Sequence, residues 1–294
     1  MFVGYTSYHM IIVHTTHQDL SNHLAGIRKR GQSIGFVPTM GALHAGHLSL
    51  MEQAMSLTDH VVVSIFVNPT QFNNATDLEK YPKDLSNDAR MIANRLGTDN
   101  IVIYAPSVED VYGCQVAAKE YTYDGLEHIM EGANRPGHFN GVGTVLEFLF
   151  RTIKPKVAIF GEKDFQQLQI VRKLVKKLKL PTTIIGAAIH REQNMLAMSS
   201  RNERLTAQAR EKAGFIYKSL ELAKSYFKAH SAPQTEGFIA KRYAAQEHID
   251  LEYFTIANEL TLEPITRKSK GSEYRAFIVA HIEGVRLIDN MKLD

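Results

Sequence analysis

Six short runs of β-branched and apolar residues, "MIIVHT", "SIGFVPT", "HVVVSIFVN", "NIVIYAPS", "KVAIFGE" and "TTIIGAAIH", alternate with helix-length amphipathic stretches over the first two thirds of the chain. Strands that alternate with helices are joined by crossovers. The sheet they build is mostly parallel, with helices on both faces. The pattern changes near Ile189. Two helical segments, around 206–230 and 235–247, are followed by "IDLEYFTIA", "EYRAFIVAHI" and "VRLIDNM" in quick succession, which suits a small antiparallel sheet. The expectation is an α/β domain over residues 1–188 and a smaller α+β domain over 189–294. Met1 to His9 precede the first strand and are expected to be a dispensable extension.

Composition removes several classes of function. Cys114 is the single cysteine, so no intramolecular disulfide framework exists, and no Cys/His cluster has the spacing of a zinc site. A reducing cytoplasm fits. No basic n-region leads into an apolar run, and no membrane-length apolar stretch occurs, so neither a signal peptide nor a span is expected. The net charge of +3 is modest, and much of the excess lies in "VRKLVKKLKL", 171–180. There Val171, Leu174, Val175 and Leu178 follow helical spacing and leave Arg172, Lys173, Lys176 and Lys177 on the opposite side. A solvated helix face accounts for them, and a nucleic-acid partner is not expected.

Ligands of open parallel sheets bind beyond the carboxyl ends of the strands, and there the unusual sequences stand. "TMGALHAGH" follows "SIGFVP"; "NPTQF" follows "HVVVSIFV"; "GEKDFQQL" follows "KVAIF". If a helix begins near Gly46, Gly41 and Gly46 let the backbone approach a ligand, and the free N–H groups favour an anion. His44 and His47, at i and i+3, project from nearly one face and can donate to phosphate. A core or metal role for the pair is the alternative, and no nearby carboxylate completes a metal triad. Lys163 can neutralise phosphate, and Asp164 can hold a magnesium-bound water or a ribose hydroxyl, unless the turn is merely solvated. Ser199, Ser200 and Arg201 in "MLAMSSRNERL" form a compact set of donors for a polyphosphate, or a helix cap. Gln71 and Gln167 each offer donor and acceptor to a substrate rich in hydroxyls or carboxylate.

"PTMGALHAGHLSL", "VSIFVNPTQF", "NRPGHFNGVGTV", "FGEKDFQQL" and "LAMSSRN", in this order and separation, resemble the pantothenate synthetase (pantoate–β-alanine ligase) family over nearly the whole chain. "HAGH" and "MSSR" alone are similar to the HIGH and KMSKS elements of class I aminoacyl-tRNA synthetases and small nucleotidyltransferases. The resemblance implies a Rossmann-like nucleotide-binding domain with a small α+β lid. It implies ATP-dependent condensation of pantoate with β-alanine through pantoyl adenylate, releasing pyrophosphate and then AMP, with Mg2+. By the same resemblance, Met40, Gly41, Ala42, Leu43, His44, Ala45, Gly46 and His47 line ATP, with His47 the proton donor. Gly161, Glu162, Lys163 and Asp164, with His190, Met198, Ser199, Ser200 and Arg201, hold the nucleotide, Asp164 also facing the metal. Gln71 and Gln167 grip pantoate, and Gln71 helps β-alanine. A homodimer through the first domain is implied as well. The chain departs from the family where Asn194-Met195 replaces Asp-Gly, Phe148 replaces a basic residue and Lys83 replaces arginine.

Overall fold

The computed structural model describes residues 11–72, 78–79 and 81–293, so the expectation for Met1 to His9 lies outside the described residues. Six strands, β1 (Ile12–His14), β2 (Ile34–Thr39), β3 (His60–Ile65), β4 (Ile101–Tyr104), β5 (Val157–Gly161) and β6 (Thr183–Ala187), pair in parallel in the order β1-β4-β3-β2-β5-β6. The near-continuous apolar sequences of β2, β3, β4 and β5 follow from burial on both faces, whereas β1 at the edge leaves Ile12 and Val13 exposed. Phe36, Val62, Val102, Ala158 and Phe160 pack into one core, beneath the helices His17–Lys29, His138–Ile153 and Phe165–Lys177. Their neighbours Val37, Val61, Val63, Ile101, Ile103 and Ile159 point the other way, into a core shared with the helices Ala45–Leu57 and Leu85–Leu96. Side chains alternate with period two along a strand, so the runs of β2 to β6 feed both layers.

Three later strands, β7 (Asp250–Asn258), β8 (Tyr274–Ile282) and β9 (Val285–Lys292), form an antiparallel sheet in chain order. Glu283 and Gly284, at φ 50° and 72°, supply the two left-handed positions of the β8–β9 hairpin. Helices Phe215–Phe227 and Ala232–Ala244 close its core over Ile278, Ala280 and Leu287. The helical stretch expected over 206–230 is in fact two helices, Ala207–Lys212 and Phe215–Phe227, divided at Gly214. A Cβ at Gly214 would lie 2.6 Å from the Asn194 carbonyl oxygen, a close approach that only glycine permits. The basic helix begins earlier than its charge pattern suggests, at Phe165, and ends at Lys177. Lys173 and Lys177 meet Asp124 at 2.7 and 3.2 Å, so part of the positive face is neutralised within the chain.

Candidate active site

From β2 the chain moves outward to β3 and β4 on one side, and from β5 it moves to β6 on the other. β2 and β5 are neighbours, with Phe36 beside Ala158, so strand order reverses between them. A crevice must open beyond the carboxyl ends of these two strands. The two loops rich in phosphate-suited residues leave these same strands. Above them lies a cleft of about 770 Å³, lined by Met40, His44, Gly46 and His47 from one side and Gly161, Lys163 and Asp164 from the other.

The turn after β2 is built around left-handed backbone at Gly41 (φ 82°) and Ala42 (φ 51°). A Cβ at Gly41 would sit 3.0 Å from Asp88 Oδ2 and 3.2 Å from Ile65 Cγ2, so glycine is needed for space as well as for φ. Asp88, buried on the helix Leu85–Leu96, accepts from the N–H groups of Ala42 (3.1 Å) and Leu43 (2.9 Å). Burial raises its pKa, and the two N–H donors oppose that rise. Those two amides are therefore committed within the chain. Gly41, Ala42, Leu43 and Ala45 are not on the cleft wall. They shape the loop, and Leu43 packs into the core.

His44 precedes the helix Ala45–Leu57 in extended conformation, and the helix starts one residue ahead of the expected Gly46. The His44 backbone N–H donates to His47 Nδ1 at 3.3 Å, and the two rings stand 4.0 Å apart between centroids. Gly46 lies under His44: a Cβ there would be 3.0 Å from the ring. Burial, with lesser effects of Lys163 and other neighbours, lowers the pKa of His44 to about 4. Burial, then His44 and Lys163, lowers that of His47 to about 3. Both rings are neutral at pH 7. Since His47 Nδ1 accepts a hydrogen bond, its proton sits on Nε2, making that nitrogen a fixed donor.

The short turn Glu162–Asp164 follows β5. Lys163 Nζ reaches both Asp164 oxygens, at 3.2 and 3.3 Å. The walls of the cleft work to raise the pKa of the half-exposed Asp164, but the charges of Lys163 and Arg201 outweigh them and keep the carboxylate ionised. Glu162, expected at the nucleotide, directs its side chain elsewhere. It is not on the cleft wall, because Arg275 of β8 draws its carboxylate away, at 3.4 Å.

Met198, Ser199, Ser200 and Arg201 face the same cleft from the second sheet's side. Ser199 Oγ accepts from the Arg201 N–H at 3.3 Å and caps the short turn Ser200–Arg204, while Thr206 caps the next helix. Binding and capping are thus compatible here. Fully buried Asn202 pins the loop by donating to Glu192 (2.6 Å) and to the Ala197 carbonyl (3.1 Å). His190 lines the cleft, and its carbonyl accepts from Met198 N–H at 2.9 Å. In the hairpin between them, Met195 holds φ 72°, a left-handed position that glycine adopts without strain, and Asn194 is tied to the Arg210 carbonyl at 2.7 Å. Phe148 is part of the main core's margin, and Lys83 is exposed.

Gln71 and Gln167 also line the cleft, as does the adjacent Gln166, but Gln166 is buried and its amide nitrogen is spent on the carbonyls of Leu126 and Ile129, both at 2.8 Å. Two residues that pattern reasoning missed are Arg135 and His138. The Gln71 carbonyl accepts from Arg135 Nη2 at 3.0 Å and from His138 Nδ1 at 2.9 Å, so together they fix the segment that presents Gln71. Their signal was the "NRPGHF" segment, whose residues carry no recognisable spacing. Burial, reinforced by Arg135, lowers the His138 pKa to about 4.

These imidazoles link stability to pH. The unfolded chain takes up protons near pH 6.5 while the folded one does not until about pH 3 to 4, so stability is full above 6.5 and falls as pH drops below it. Thermal unfolding of the free protein should show a midpoint that declines between pH 7 and 5. His47→Gln should flatten part of that decline; an unchanged slope would count against a neutral, buried ring.

Comparison with known proteins agrees with this geometry. The family model described as pantoate-beta-alanine ligase matches residues 12–292. The chain is 52% identical to the pantothenate synthetase of Flavobacterium psychrophilum, over 96% of this chain and 100% of that one. It is 50% identical to that of Christiangramia forsetii, over 91% and 94%. Among solved structures, the pantothenate synthetase of Thermus thermophilus superposes with a TM-score of 0.86 at 35% identity, covering 96% of this chain and 99% of that one. The Francisella tularensis pantoate-beta-alanine ligase, complexed with beta-gamma ATP and beta-alanine, does so with 0.77 at 34%, covering 96% and 98%. With the parallel sheet, its switch-point cleft and these matches together, the chain belongs to the pantoate–β-alanine ligase family.

Proposed function

We propose that this cleft is where ATP and pantoate form pantoyl adenylate, and where the amine of β-alanine then displaces AMP to give pantothenate. What carries the proposal is the convergence at one switch point of His44, His47, Lys163 and the Ser199–Arg201 loop, with Gln71 and Gln167 beside them. In the first step a pantoate carboxylate oxygen attacks the α-phosphorus, and the bond to pyrophosphate breaks. Negative charge grows on the phosphoryl oxygens and on the leaving group. Neutral His47, donating from Nε2, meets that charge beside His44, Lys163, Ser199, Ser200 and Arg201. No covalent enzyme intermediate is needed, so positioning and fixed donors lower the barrier. Gln71 and Gln167 hold pantoate with its carboxylate toward phosphorus. The amine of β-alanine, near Gln71, then attacks the acyl carbon, and AMP leaves with the bridging oxygen.

Residues 1–188 form the ATP- and pantoate-binding unit in this scheme, and residues 189–294 the lid. Among the described residues no group of three His, Cys, Asp or Glu side chains could cage a metal. Asp164 is half-exposed in the cleft, whereas the wall's other carboxylates, Glu131, Glu252 and Asp289, are paired with Arg286 or Arg191. That donor set suits Mg2+ arriving on the nucleotide, held mainly by phosphate oxygens. The ion would neutralise phosphate charge. No described helix is long and apolar enough to cross a membrane, and a cytoplasmic setting supplies ATP. Exposed Ile12, Val13 and Val116 belong to the first unit, consistent with a homodimer formed through it.

Exchange of labelled pyrophosphate into ATP, with magnesium and without β-alanine, tests the chemistry. Exchange should require pantoate. Dependence on an amino acid instead, or none at all, would refute adenylation of pantoate. Gln71→Ala should impair use of pantoate and β-alanine far more than ATP affinity, because a site built for hydrogen bonding is left with unpaired partners. An effect confined to ATP would remove Gln71 from the pantoate site.

A further inference from the structure

Two adjacent residues of β9, Asp289 and Asn290, are only 3% and 2% exposed, and each reaches a different phosphate-facing loop. Asn290 Nδ2 donates to the carbonyls of Glu162 (2.8 Å) and Lys163 (3.0 Å), the turn that presents Lys163 to the cleft. Its Oδ1 accepts from Arg275 Nη1 at 2.6 Å, which fixes the way the amide faces. Arg275 is itself held: its guanidinium lies 3.8 Å over the ring of Phe165, the first residue of the helix after that turn, and Nη2 meets Glu259 at 3.2 Å. Asp289 pairs with Arg191 through both oxygens, at 2.6 and 3.0 Å, and Arg191 bridges to Ala197 at the start of the Met198–Arg201 loop.

A purely structural role would make this an ordinary satisfied polar patch. An apolar residue of similar volume could fill position 290 without obligatory hydrogen bonds. It could not hold two consecutive carbonyls of the turn that carries Lys163. We infer that Asn290, oriented by Arg275, is a positioning residue for adenylation. It sets the Lys163 turn against the Met198–Arg201 loop, which Asp289 holds through Arg191, at the separation a nucleotide's phosphates need. This rests on the adenylation proposed above.

Asn290→Asp tests it with almost no change of shape. The variant keeps Arg275 as partner and replaces the NH2 group, with both its N–H donors, by a single oxygen that faces the two carbonyls. Pantoate-dependent pyrophosphate–ATP exchange should slow about 10- to 100-fold, the scale of a small misplacement of a reacting group, with the rate falling more than the KM for ATP rises. In a Lys163→Ala background the same substitution should cost nothing further, since the group it positions is gone. Arg275→Lys, which retains a cation near Glu259 but loses the planar fork, should repeat both results more weakly. Wild-type exchange in Asn290→Asp would overturn the inference alone. So would an undiminished additional loss in the Lys163→Ala background, because Asn290 would then act through something other than Lys163. If the unaltered protein exchanged nothing, adenylation itself would fall, and this role with it.

Discussion

Replacing His47 by alanine should slow adenylate formation by roughly 100- to 1,000-fold, the usual result of removing one pre-aimed transition-state donor. The neutral ring makes the expectation specific. With its pKa lowered to about 3 and Nδ1 accepting the His44 N–H, His47 offers Nε2–H to developing charge without losing a proton at neutral pH. Attack of β-alanine on preformed pantoyl adenylate should suffer much less. Single-turnover measurements of each step separate the two, and equal damage to both would point to a disturbed helix start. His47→Asn should retain part of the first step, because its amide is also a donor.

Gly141→Ala should damage both stability and pantoate use, although the change is a single methyl on a helix. By helix propensity alone, alanine would stabilise by about 0.8–1 kcal/mol. The tertiary structure reverses that sign. A Cβ at Gly141 would lie 2.3 Å from the Thr70 carbonyl oxygen and 2.6 Å from its carbon, both backbone atoms in the turn that presents Gln71. That turn cannot simply yield, because Asn68 Nδ2 donates to the Gly141 carbonyl at 3.0 Å and Tyr112 grips Asn68 and Thr70, at 2.5 and 2.8 Å. Overpacking of this kind costs about 1–3 kcal/mol. The unfolding midpoint should drop, and the KM for pantoate should rise more than that for ATP. An unchanged or raised midpoint would show that helix His138–Ile153 can withdraw from the turn.

Much of the architecture was legible because burial on two faces imposes a local pattern. Six β-branched runs separated by helix-length segments predict the parallel sheet, and all six correspond to strands. The break between Lys212 and Phe215 was not legible. It depends on the Asn194 carbonyl pressing against Gly214 from a loop 20 residues earlier, a contact with no local periodicity. The roles of Arg135 and His138 were hidden for the same reason, since both act on the carbonyl of Gln71, 64 and 67 residues away.

The sequence by itself determined the two-sheet plan, the loops that leave the strands and the stock of donors for phosphate, because strand period, helix spacing and glycine placement are local properties of the chain. Only the tertiary structure decided which groups point into the cleft. It set strand order so that β2 and β5 meet at the switch point, gave the amides of Ala42 and Leu43 to Asp88, and turned Glu162 toward Arg275. It also brought Asp289 and Asn290 beneath the two phosphate-facing loops. Charge compensation and hydrogen-bond satisfaction join residues far apart in the chain, and partners become defined only when packing has fixed every element's position.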